Sequence, residues 1–597
     1  MALTAGLLTA CPAVWAADSA KPWTFWYWMY GSVSQAGIKA DLQAMKDAGL
    51  GGCYLMPIRG VAERPAQQPP MGEPDAQQLS DRFWELTDYA MQQADSLGLE
   101  LGIHICDGFA LAGGPWITPE ESMQHVVWTD TIVSLEKPSS AIVLPQQAGG
   151  PGGYYRDIAS FACRMTNEEN LPAPAVCGTI QRNTSGIFRA SQADSDSTLY
   201  IEYDYGRPIT VRSITVVPSG NNLQSQRLLV QASGDGHLFT NVRQLVPPRQ
   251  GWQNTDADYT YALPETTARY FRFCWTAAGT EPGSEDMDAA KWSPVLKLKD
   301  VLLSAEPCID QYESKNGSVW RRPADTFGVG QTAVEVIRLT EEATLPPGRW
   351  RILRIGHAST GHTNATAGGA RGLECDKFSA AAVEKQIDSW FGLFMKRPYS
   401  RVVKYMHVDS WECGSQNWST TFANEFLQRR GYDLLPLLPA LAGVPVEGAD
   451  RVLHDVRQTI DELKNEIFFQ TVAKKARQFG VGLSAESVAP TMMGDGMTHF
   501  KYTDIPMGEF WLNSPTHDKP NDMLDAISGA HVYGKKIVQA EGFTEVRGVW
   551  DETPASIKSL LDRNMALGMN RLFFHVFTHN PWTDRKPGMT LDGIGLF

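Results

Sequence analysis

From position 23 onward, short and densely apolar runs alternate with stretches whose apolar residues recur every three or four positions. The aromatic run Phe25, Trp26, Tyr27, Trp28, Met29, Tyr30 predicts a strand. Ile38, Leu42 and Met45 fall at helical spacing before the stop at Gly49 and predict a helix over 38–48. A second strand over 52–58, a helix over 83–97 closed by Gly98, and a third strand over 99–106 continue the rhythm. Between about 126 and 354 the pattern changes to period-2 segments such as Leu199 to Tyr203, Ile214 to Val217 and Tyr270 to Trp275, separated by Gly, Asn, Pro and Ser turns. Such segments predict a β-sandwich. Helices over 380–396, 420–430, 452–479, 523–533 and 554–567 then alternate with strands over 402–409, 481–486, 503–510, 537–541 and 571–577. Three strands before the insert and five after it give an α/β fold: a (β/α)8 TIM-type barrel, interrupted after strand 3 by an inserted, galactose-binding-like β-sandwich. The expected division is an export signal over 1–20, the first part of the barrel over 21–125, the sandwich over 126–355, and the second part of the barrel over 356–597.

Charge and composition narrow the function classes. The chain has 597 residues and a formal net charge of −14, a sign that repels phosphate backbones and anionic lipid. Nucleic acid is therefore not an expected partner, and after the first twenty residues no apolar run is long enough to span a membrane. Residues 1–20 read as an export segment with Val14-Trp15-Ala16 at the cleavage site, so a periplasmic or extracellular location is expected. Leu8-Thr9-Ala10-Cys11 also fits a lipoprotein box that would anchor the chain to an outer membrane at Cys11. Nine cysteines show no zinc spacing and no disulfide framework. The 18 tryptophans suit a site that stacks on sugar rings, a weak signal alone.

Barrel enzymes carry their reacting groups at the C-terminal ends of the strands. That rule collects His104 and Asp107 after strand 3, Asp409 and Glu412 after strand 4, and Glu486 after strand 5. It adds Glu509 on strand 6, Glu541 on strand 7 and His575 on strand 8, with Trp28, Trp411 and Trp511 nearby. So many carboxylates in a partly dry pocket cannot all stay ionised unless a cation joins them. A glycosidase acid/base pair and a hard-cation site both use such a set. For Asp107 and Asp409 a supporting role is expected, for Glu486 a hydroxyl-binding role, and for His104 and His575 substrate binding or a place in the core. A zinc amidohydrolase would carry His-x-His on strand 1, where this chain has Trp26-Tyr27-Trp28.

Several stretches together, from 22 to 588, resemble one family. They are the opening PWTFWYWMYGSVSQAGIKADLQAMKDAGLGG, RGLECDK (371–377), HVDSWECGSQNWS (407–419), RRGYDLLPLLPALAG (429–443), PMGEFW (506–511), AEGFT (540–544) and GMNRLFFHVFTHNPW (568–582). Their joint order is similar to glycoside hydrolase family 106, the α-L-rhamnosidases of bacterial pectin degradation. The resemblance implies a barrel catalytic domain, Ca2+ near the sugar, and hydrolysis with inversion. It implies Glu412 as general acid and Glu541 as general base, labels the sequence leaves exchangeable, with Glu509 holding calcium or a rhamnose hydroxyl. Family members continue into further β domains, so a chain shortened at its C-terminus is expected. The competing expectations are a retaining, β-galactosidase-like barrel glycosidase and a non-catalytic carbohydrate-binding protein.

Overall fold

A computed structural model describes residues 20–591 apart from 110, 168, 192–198, 221–224, 251–256, 281–292, 320, 324–331, 488–493, 513–519, 546–550 and 586–587. The expected export segment, with Cys11, lies outside the described residues but for residue 20. Among the described residues no helix is long and apolar enough to cross a membrane.

Eight strands close into a barrel in chain order: β1 (Trp23–Met29), β2 (Gly52–Ile58), β3 (Glu100–His104), β4 (Val403–Val408), β5 (Gly482–Ala485), β6 (Ile505–Trp511), β7 (Gln539–Thr544) and β8 (Arg571–Thr578). Every neighbouring pair is parallel, including the closing pair, in which Trp23 lies beside Phe573. Strand alternation sorts the side chains. Trp23, Phe25, Tyr27 and Met29 point into the barrel with Tyr54, Met56, Met507 and Phe573, while Trp26 and Trp28 point outward. The outward residues pack on helices α1 (Gln35–Asp47) and α2 (Asp81–Leu97) through Ile38, Leu42, Met45 and Phe83. Ser34 caps α1 by accepting from the Gly37 amide at 3.0 Å, and Ser80 caps α2 by accepting from that of Phe83 at 3.2 Å.

Two of the expected helices carry a break that periodicity does not reveal. The one over 380–396 divides at Trp390, where φ opens to −117° and the indole N–H donates to the His104 carbonyl at 3.1 Å. The one over 452–479 is an α–π–α run, with the π segment at Lys464–Phe469. Between β5 and β6 the described residues hold a 3-10 turn, Thr498–Lys501, and no α-helix.

Two large sheets and two short two-stranded ones occupy the long stretch between β3 and β4. One comprises Gln124–Leu135, Tyr155–Arg164, Val336–Arg338 and Gly348–Ser359, all antiparallel. Its Val126, Phe161, Cys163, Leu353 and Ile355 join the core on the outside of the barrel. The other large one is a seven-stranded sheet in which two long strands, Leu199–Pro218 and Tyr259–Trp275, pair with two register shifts midway and enclose a core of their own. The chain then returns over the barrel mouth: Leu373–Glu374 pairs with Gly113–Gly114, and the Asp107 carboxylate accepts the amides of Gly368 and Ala370, both at 2.9 Å.

Candidate active site

Alternation places the polar residues as it placed the aromatic ones. His407 and Asp409 continue the inward face of β4, Ser484 and Glu486 that of β5, Glu509 and Trp511 that of β6, Glu541 that of β7 and His575 that of β8. Asp409, Glu412, Glu509, Trp511, Glu541 and His575 line one cavity of about 220 Å3, together with Tyr27, Arg59, Phe109, Thr366, Ser410 and Thr544. That is smaller than the roughly 300–1,000 Å3 of sites for drug-sized ligands, and it suits a single sugar ring. A larger cleft, about 500 Å3, lies against the inserted sheets. Its charges are paired, Arg164 with Glu335 at 3.1 Å and Arg212 with Glu265 at 2.8 Å, so converging chemistry is found at the barrel mouth instead.

Each of three carboxylates receives a hydrogen bond from a neighbour on its own strand end. The Ser410 hydroxyl donates to Glu412 at 3.1 Å, the Trp511 indole N–H to Glu509, and the Thr544 hydroxyl to Glu541. The amide of Ser410 is shared between Asp409, 2.9 Å, and Glu486, 3.1 Å. Register brings like charges side by side: Glu509 is the β6 partner of Glu541, and Asp409 and Glu486 follow the Val408–Ala485 pair. Burial, and then the charges of Asp409, Glu541 and Glu509, push the Glu486 carboxyl well above the usual range, so it keeps a proton and bonds to Asp409. The same environment, burial first and then Asp409, Glu541, Glu486 and Glu412, holds the Tyr27 phenol protonated. Burial lowers His104 and His575 to about 4 and His407 well below its ordinary value, which leaves neutral imidazoles.

Five residues expected at the site do not line the cavity: Glu486, expected to bind a hydroxyl, lies beneath it beside Asp409, and four others stand elsewhere. Trp28 faces outward, packed edge-on against Trp26 and Phe83, because it has the opposite parity to Tyr27 on β1. Trp411 is fully buried against Phe468 and donates its indole N–H to the Gly414 carbonyl at 2.9 Å. His104 lies inside the barrel against His407, one layer below the cavity. Asp107 latches the returning segment; burial raises its carboxyl to about 7 despite the two amides that it accepts. Conversely, Tyr27, Arg59, Thr366, Ser410 and Thr544 line the cavity without having been expected there. The parity of β1 identifies Tyr27 from sequence, whereas Thr366 arrives by a long-range return that local patterns do not encode.

The metal expectation centred on Glu509. The oxygens facing the cavity, those of paired Glu509 and Glu541 with Asp409, Thr544 and Thr366, have the chemistry of a hard cation's donors. Among the described residues, however, the three close metal-type ligands are His407, Asp409 and Glu486, and Glu509 is not one of them.

Comparison with known proteins places this arrangement in a family. The family model described as alpha-L-rhamnosidase, glycoside hydrolase family 106, matches residues 15–597. A solved rhamnosidase from Novosphingobium sp. PP1Y superposes with a TM-score of 0.75 at 27% identity, over 97% of this chain and 57% of that one. A protein of Formosa agariphila with a provisional beta-glucuronidase name is 28% identical over 589 residues, 97% of this chain and 38% of that protein. The chain thus spans little more than half of the solved rhamnosidase and well under half of the curated relative. With a closed eight-stranded barrel, carboxylates gathered at its mouth and a family match that runs nearly its whole length, the chain belongs to glycoside hydrolase family 106, the alpha-L-rhamnosidase family.

Proposed function

We propose that the protein is an exo-acting α-L-rhamnosidase that releases terminal rhamnose from plant, chiefly pectic, glycans with inversion. The observation that carries this reading is that Glu412 and Glu541, from β4 and β7, line the same ring-sized cavity. In the proposed reaction Glu412, as the carboxylic acid, gives its proton to the leaving oxygen. Glu541, as the carboxylate, takes a proton from the water that attacks the anomeric carbon from the opposite face. The proton balance leaves Glu412 ionised and Glu541 protonated, and exchange with solvent resets both. Ser410 and Thr544 fix the orientation of the two carboxyls, Trp511 offers a face to the sugar, and Tyr27 offers a neutral donor among anions. Calcium, where bound, would be held by Glu509 and would supply positive charge to the sugar hydroxyls. Export of the chain is proposed from residues 1–20 alone.

The test is turnover of a panel of p-nitrophenyl glycosides, with the configuration of the first-formed sugar followed by NMR. Turnover of the α-L-rhamnoside with release of the inverted anomer supports the reading; release of the retained anomer overturns inversion. A second reading, a glucuronide substrate, draws on the relative's name and on Arg59 at the cavity wall. It predicts turnover of the β-D-glucuronide and not of the rhamnoside.

A further inference from the structure

At the floor of the cavity, a ring nitrogen of His407, a carboxylate oxygen of Asp409 and one of Glu486 lie within 4.8 Å of one another. One atom of this group, Nε2 of His407, is buried without a hydrogen-bond partner among the described residues, on a residue 0% exposed. Buried polar atoms in native proteins are nearly always satisfied, so an orphaned imidazole nitrogen beside two buried carboxyls points to a missing ligand. The surroundings orient the imidazole for that role. Nδ1 of His407 sits 3.3 Å from the Ser484 hydroxyl; with Nδ1–H donating there, the lone pair is on Nε2. Ligands of a single ion bound at about 2.1 Å lie no more than about 4.2 Å apart, so small side-chain rotations close the triad.

We propose that His407, Asp409 and Glu486 bind a divalent metal ion of the borderline class, zinc or manganese, in the floor of the site. One imidazole with two carboxylates suits those ions, whereas calcium takes six to eight oxygens. Asp409 lines the cavity, so the ion has its open position on the substrate side. There it offsets the negative charge that Glu412, Glu509 and Glu541 concentrate above it. This site differs in its donors from the calcium position proposed at Glu509, and it does not depend on which glycoside the enzyme cleaves.

The experiment is metal content by mass spectrometry, after chelation, reloading with zinc or manganese chloride and gel filtration, on the full chain and three variants. About one equivalent is expected in the parent chain and in Glu509→Gln, and near-complete loss in His407→Gln and Glu486→Gln. Thermal melting should rise on adding metal to the parent chain and stay unchanged for Glu486→Gln, a neutral replacement of the same shape whose fold is checked by circular dichroism. No uptake by the parent chain overturns the proposal, as does undiminished uptake by Glu486→Gln. If His407→Gln does not fold, Glu486→Gln decides the matter alone. A parent chain that takes up no metal on reloading and yet cleaves rhamnosides removes the metal site and leaves the proposed function standing.

Discussion

Replacing Lys377 by methionine tests how the loop that carries Glu412 is held in place. Lys377 and Glu374 form an ion pair at 2.7 Å in which both side chains are fully buried. The ammonium also donates to the Cys375 carbonyl at 2.9 Å and lies 5.9 Å from the centre of the Trp411 ring, next to Glu412. Despite burial, the Glu374 charge holds the Lys377 ammonium well above its ordinary range, so the pair is ionic. In Lys377→Met, Glu374 keeps its bond from the Ala112 amide at 2.8 Å, and an uncompensated charge is left in the core. Removing one partner of a buried pair costs about 3–5 kcal/mol, whereas replacing both by neutral groups of like volume costs much less. At 1.36 kcal/mol per factor of ten, amides in 372–378 and 411–418 should exchange hydrogen roughly 10²- to 10⁴-fold faster in the single variant. The double variant Glu374→Gln/Lys377→Met should recover most of that loss, because the introduced glutamine keeps a side-chain oxygen to accept from Ala112. Hydrogen exchange read by mass spectrometry on peptides from those segments is the assay. Exchange in Lys377→Met within about threefold of the parent chain refutes the reasoning, and so does a double variant that exchanges as fast as the single one.

Two further outcomes follow from the site. Thr544→Val removes the hydroxyl bonded to Glu541 while keeping its shape; a charge-assisted hydrogen bond is worth about 1.5–3 kcal/mol, so kcat/KM on the rhamnoside should fall about 10- to 150-fold, with Thr544→Ser near the parent value. Asp107 is raised in the folded chain, so its contribution to stability is full below the ordinary carboxylate pKa and is lost as pH rises to about 7. Asp107→Asn should therefore flatten the fall in melting temperature between about pH 4 and 7, and an unchanged profile would show that Asp107 does not carry it.

How much of this was legible in the sequence depends on the range of the contact concerned. The barrel strands were legible because each is a dense apolar run, and the carboxylates stand out because Glu486, Glu509 and Glu541 lie at or near strand ends. The parity of β1 was present in the sequence, since Trp23, Phe25 and Tyr27 alternate with Trp26 and Trp28 and one set must face the helices, but the expectation that set Trp28 at the site did not apply it. Trp411 sits in a loop without period, and its burial against Phe468 depends on a π segment that no repeat announces. Asp107 and Gly368 are 261 positions apart, and their hydrogen bond sets Thr366 against the cavity. Neither composition nor spacing encodes such a return. The insert was legible as β-structure from its alternation, but alternation does not tell its two large sheets apart, one packed on the barrel and one around its own core.

The most direct measurement is the turnover number on p-nitrophenyl α-L-rhamnopyranoside for the parent chain, Glu412→Gln and Glu541→Gln, each checked for its fold by circular dichroism. General acid and general base each contribute about 10²- to 10⁴-fold, so each variant should lose at least about a hundredfold in kcat. Near-parental turnover in either one contradicts the assignment of that carboxyl, and in both it contradicts the account.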